Sequence, residues 1–160
     1  MNKITDIKAD RMRYTKNSIS ATLSYLAILF NALYFLNIYH SDVGSFYYKM
    51  QIGFSVIYNL LFMLFVFLSS EGVKKYDRRY SIALIVIGAL QVVRIFGIPL
   101  DALTSTVIVK RVEVRVMNTS QFIFCVVYLV ASAALAIVAG IIGLIKTKKL
   151  RDYEKTLISQ

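Results

Sequence analysis

The chain has 160 residues, of which 58% are hydrophobic and 18% charged, and its mean hydropathy is +0.62. This composition excludes a soluble domain, whose surface must be largely polar, and reads as an integral membrane protein. The net charge of +10 is therefore read by where the charges lie, and no nucleic-acid partner is expected.

Residues 1–16, MNKITDIKADRMRYTK, set Ile4, Ile7, Met12 and Tyr14 among mixed charges. The weakly amphipathic spacing, with Thr5 or Asp6 as N-cap, predicts a short interfacial helix in a cytoplasmic tail. Four apolar runs follow, 17–39, 50–70, 80–100 and 122–145. Each is long enough to cross about 30 Å of hydrocarbon at about 1.5 Å per residue. The expected fold is an all-α bundle of four transmembrane helices in one domain. The first run is expected to be retained, because it exceeds a signal h-region and SDVGS after it is not an A-x-A cleavage pattern.

In the first run Ser20, Ser24, Ala27, Asn31 and Tyr34 recur at helical spacing, and Ser55, Asn59, Phe62, Val66 and Ser69 do so in the second. Helices in lipid associate through such stripes, because small residues allow close approach and amides bond across the interface. Asn31 lies about 12 Å and Asn59 about 13.5 Å from the outer boundary, so the two are expected to be level and to face each other. The joining HSDVGSFYYKM is short enough to enforce an antiparallel hairpin, and its Phe46, Tyr47 and Tyr48 predict an interfacial aromatic belt. EGVKKYDRR, shorter still, makes the second and third helices neighbours.

The third run alone carries a charge, Arg94. A guanidinium stays protonated in proteins, so inside a bilayer it must reach the headgroups, face a wet cavity or find an acceptor. Leu84, Gly88, Gln91 and Ile95 share one face, with Gln91 about 10 Å from the outer end and near the depth of the asparagines. Arg94 stands one turn above Gln91. Pro99 is expected to close the helix after Gly97.

The longest connection contains TVIVKRVEVRV, in which Val112, Val114 and Val116 alternate with Arg111, Glu113 and Arg115. Alternation rich in β-branched residues predicts a short β-like segment. It needs a partner: itself in a hairpin with 102–109, another chain or the membrane surface. Asn118-Thr119-Ser120 matches a glycosylation sequon, but it abuts the membrane and is read as chance. In the fourth run Ser132, Ala136 and Gly140, continued by Gly143, form a small-residue face expected to pack inside the bundle, and Tyr128 falls at the depth of the amide layer.

Basic residues concentrate in three segments: Lys3, Lys8, Arg11, Arg13 and Lys16; Lys74, Lys75, Arg78 and Arg79; Lys146, Lys148, Lys149, Arg151 and Lys155. The opposite side has Lys49, Lys110, Arg111 and Arg115. The positive-inside rule then predicts cytoplasmic N and C termini, with anionic headgroups of the cytoplasmic leaflet as partners of these bases. In outline, four helices with a long loop before the fourth resemble tetraspanins, but the cysteines of that loop are missing here.

The single Cys125 and the single His40 cannot build a structural zinc site or a redox dithiol. There is no glycine-rich phosphate loop, HExxH or CxxC, so neither catalysis nor a cofactor or metal is expected. The candidate residues for ligand or partner contact are Arg94, Gln91, Asn31, Asn59 and Tyr128 within the membrane, and Lys110, Arg111, Glu113 and Arg115 in the outer loop. The expected role is a non-catalytic accessory or scaffolding subunit of a larger assembly, such as a transport complex, in the plasma membrane. It would dock a protein partner through its outer loop and helix faces, with Arg94 and 106–116 as one outward surface. The alternative is a small homo-oligomeric transporter or channel whose polar layer and Arg94 face an outward cavity.

Overall fold

The computed structural model describes residues 3–39, 49–104, 106–109, 112–115 and 117–158. Helix α1 spans Lys3–Tyr14, α2 Ser18–Tyr39, α3 Lys49–Lys74 and α4 Arg78–Val93. A 3-10 turn, Arg94–Phe96, and a short helix α5, Ile98–Thr104, follow; strands β1, Thr106–Val109, and β2, Val112–Arg115, lead into α6, Thr119–Ile158. Among the described residues four segments are long and apolar enough to cross a membrane: Ser18–Ile38, Gly53–Lys74, Arg78–Thr104 and a stretch within Thr119–Ile158. The chain is a multi-pass membrane protein.

The helices run alternately up and down. α6 packs along both α2 and α4, and α3 packs against the same two helices from the other side. α3 and α6 are therefore diagonal. Lipid tails are as apolar as leucine, so hiding leucine inside brings no hydrophobic gain, and close packing and hydrogen bonds hold the helices instead. The distribution of residues follows from this. Ser20, Ser24, Ala27, Asn31 and Tyr34 are buried on α2, and Ser55, Asn59, Phe62, Val66 and Ser69 on α3, while Phe54, Ile57, Leu60 and Phe65 lie on the outside.

At the α4–α6 seam the two backbones approach closely. A Cβ on Gly140 would stand 2.6 Å from the Ser81 carbonyl oxygen, and one on Gly88 3.0 Å from the Ala133 carbonyl oxygen. Glycine at these positions lets the two backbones touch. Against α2, Ser132 donates through Oγ to the Ala27 carbonyl at 2.8 Å, and Gln121 Nε2 donates to the Asn37 carbonyl at 2.8 Å.

Asp77 caps α4 by accepting from the Arg79 amide at 2.9 Å, which satisfies one of the unpaired donors of the first turn. At this end of the bundle the Asn17 amide donates to the Lys74 carbonyl at 3.1 Å, and Lys146 Nζ to Asn17 Oδ1 at 2.9 Å. Tyr25, Glu71 and Lys74 bond to one another between α2 and α3.

Two sequence expectations are corrected. The third transmembrane helix does not run unbroken to Leu100. It ends at Val93, and Pro99 opens α5 instead of closing α4, because proline lacks only an amide that a first turn leaves unpaired anyway. Beyond the apolar run 122–145 the last helix continues to Ile158, since the following KTKKLRDYEKTLI has no glycine or proline to end it. At about 1.5 Å per residue its 40 residues span about 60 Å, twice the hydrocarbon thickness.

β1 and β2 pair antiparallel with Thr106 opposite Arg115 and Ile108 opposite Glu113. The chain so supplies its own strand partner. The aromatic loop 40–48, which includes His40, Phe46, Tyr47 and Tyr48, lies outside the described residues.

Candidate functional site

Asn31 on α2 and Asn59 on α3 point inward because each belongs to its helix's small, polar stripe. Gln91 projects from the last turn of α4, and Arg94 from the 3-10 turn one turn on. Arg94 Nη1 donates to Asn59 Oδ1 at 2.8 Å and to Asn31 Oδ1 at 3.4 Å, and Nη2 to Ser55 Oγ at 3.4 Å. Gln91 Nε2 donates to Asn31 Oδ1 at 2.6 Å. Asn59 in turn donates through Nδ2 to the Ser55 carbonyl at 2.9 Å, which fixes the orientation of its amide.

The guanidinium carbon lies 4.5 Å from the centre of the Tyr34 ring and 4.7 Å from that of Tyr58. Desolvated contacts of this kind are worth up to about 2 kcal/mol each. Inside a membrane a cation of this sort is costly unless it is received by oriented dipoles. Two amide carbonyls, one hydroxyl and two ring faces are among the groups that supply them here. The half-buried Arg94 borders an open groove of about 430 Å³ lined by Phe54, Ser55, Ile57, Tyr58, Leu61, Gly97 and Ile98. An adjoining groove of about 500 Å³ continues along Phe96 to Asp101.

Two polar atoms beside the cation, Asn31 Nδ2 and Gln91 Oε1, are buried and have no hydrogen-bond partner among the described residues. Such groups carry a desolvation cost of about 1–3 kcal/mol each.

Of the residues predicted from the sequence, Arg94, Gln91, Asn31 and Asn59 come together in one cluster. Tyr128 does not join it: it packs on Phe30 and Phe124, with ring centres 6.5 and 6.3 Å away. Glu113 and Arg115 are exposed on β2; Lys110 and Arg111 lie outside the described residues. Arg94 is turned between α2 and α3, and so is not placed on one outward surface with the strands. The neutral acceptors inside the bundle lie within its reach and make that inward orientation favourable.

Sequence reasoning missed Tyr58 and the roles of Ser55 and Tyr34. Ser55 stands one turn before Asn59 and Tyr34 one turn after Asn31, so both shared a face with a residue already singled out. Tyr58 carried no such mark. Its ring meets the guanidinium only because Arg94 turns toward α3. Comparison with protein-family models, with curated proteins and with solved structures finds no match to this chain.

Proposed function

We propose that the protein is a non-catalytic accessory or scaffolding subunit of a larger membrane assembly, with both termini in the cytoplasm. The observation that carries this reading is the Arg94 cluster. Its guanidinium is engaged by side chains of α2 and α3 while its backbone belongs to the end of α4, so it braces three helices in one register. A rigid bundle with an apolar exterior is what a scaffold needs in lipid.

The partner-facing element in this reading is the β1–β2 hairpin. A two-stranded sheet has two open edges, and β-augmentation uses such edges. Exposed Glu113 and Arg115 give the hairpin a charged side.

Purification from a native membrane without overexpression tests the proposal. A foreign subunit should co-purify in fixed stoichiometry and be lost when Val112 is replaced by proline, with the thermal midpoint of the bundle unchanged. Retention of that subunit by Val112→Pro would remove the hairpin from the proposal.

A second reading, a homo-oligomeric transporter or channel for a small anion, rests on the unpartnered Asn31 and Gln91 atoms and the groove beside Arg94. A monodisperse homo-oligomer that carries an anion into liposomes, and loses this activity with Arg94→Gln, would replace the scaffold reading.

A further inference from the structure

At the end of the bundle opposite the hairpin, the first turn of α4 and the part of α6 just beyond its apolar sequence enclose a pocket of about 420 Å³. It is lined by Arg78, Lys148, Arg151 and Lys155, one carboxylate, Asp152, and the apolar Leu144 and buried Thr147. Among the described residues none of the four cations is held by an ion pair. Positive charge is thus gathered from two helices with one carboxylate to offset it.

Thr147 supplies the independent sign of a ligand. It is 5% exposed, and its hydroxyl is buried without a hydrogen-bond partner among the described residues. A hydroxyl in that state has given up its water without replacement until an acceptor arrives. Phosphate oxygens are acceptors that suit both the hydroxyl and the guanidinium groups, and arginine binds them through two parallel N–H bonds.

We propose that this pocket is a phosphate-binding site, in which Arg78, Lys148, Arg151 and Lys155 take up the charge and Thr147 donates to a phosphate oxygen. Its place at the edge of the apolar run lets the phosphate come from a lipid headgroup or from a soluble phosphate. The site is independent of the Arg94 cluster.

The full chain, purified in mild detergent, is exposed to mixed micelles of phosphatidylglycerol and phosphatidylcholine, and retained lipid is counted by native mass spectrometry. Inorganic phosphate is titrated separately and in competition. The double variant Lys148→Gln/Arg151→Gln should weaken binding about tenfold, whereas Lys8→Gln/Arg11→Gln, which removes the same charge from α1, should leave it unchanged. Thr147→Val should weaken it severalfold and Thr147→Ser restore it; because Thr147→Val removes an unpartnered buried hydroxyl, it should not lower the thermal midpoint.

Displacement of the lipid by inorganic phosphate would support the site with a soluble ligand, and retention against phosphate would support it with a lipid ligand. Equal losses in the two double variants, an unaffected Thr147→Val, or binding of neither probe would overturn the proposal.

Discussion

Arg94→Lys keeps a positive charge but replaces a planar fork by a point donor. Lysine cannot reach Asn59 and Ser55 from two nitrogens at once as Nη1 and Nη2 do, and its ammonium is more strongly hydrated. The substitution is expected to cost about 1.5–3 kcal/mol, the range for hydrogen bonds to a charged group. Thermal unfolding of the purified chain in detergent reads this directly; an unchanged midpoint would mean that the guanidinium does not brace the helices. Gln91→Leu is expected to behave differently. It removes one bond to Asn31 but also a buried carbonyl that has no partner. Those effects oppose each other, so the net change should stay within about 1 kcal/mol. Together the two variants separate the charged brace from the amide beside it.

Among the helices, the α4–α6 seam gives the sharpest contrast. Gly140→Val would drive a side chain into the Ser81 carbonyl and Ile85, and backbone cannot move aside as a flexible side chain can. A loss of about 1–3 kcal/mol, or failure to form the native bundle, is expected. Gly53 on α3 has nothing within 4 Å of a built Cβ. Gly53→Ala should therefore stabilise by up to about 1 kcal/mol through helix propensity alone. Thermal midpoints of both variants check the pair, and a Gly140→Val as stable as wild type would refute the close seam. The elements also mark how far the sequence could be read. The buried stripes of α2 and α3 were legible because small and polar residues recur at a helical period in otherwise bulky segments. The break at Arg94 was not, because the 80–100 stretch is apolar on both sides of Arg94 and Pro99 is compatible with either ending one helix or starting another.

For the molecule as a whole, the end of the bundle that gathers Lys74, Lys75, Arg78 and the basic part of α6 lies opposite the hairpin. In the proposed topology, which follows the positive-inside rule, that end lies in the cytoplasm. A cysteine replacing exposed Thr106 should react with an impermeant maleimide added outside intact cells, and cysteines replacing Lys75 or Thr156 should react only after permeabilisation. The native Cys125 is buried and should stay silent. The reverse labelling pattern would invert the topology and move the proposed docking hairpin to the inside.

The sequence by itself determined the number of apolar segments, the inward faces of α2 and α3, and the common depth of Asn31, Asn59 and Gln91. These depend on residue type at a fixed rise and period along a helix, which local chemistry sets. Tertiary structure decided where Arg94 points. Its side chain has several ways to satisfy a charge, and only the assembled bundle, with α2 and α3 on either side of the turn, brings Asn31, Asn59, Ser55 and two tyrosine rings within its reach. The pocket around Thr147 was decided in the same way: its bases come from segments some seventy residues apart in sequence, and their convergence depends on α4 and α6 packing backbone to backbone through glycine.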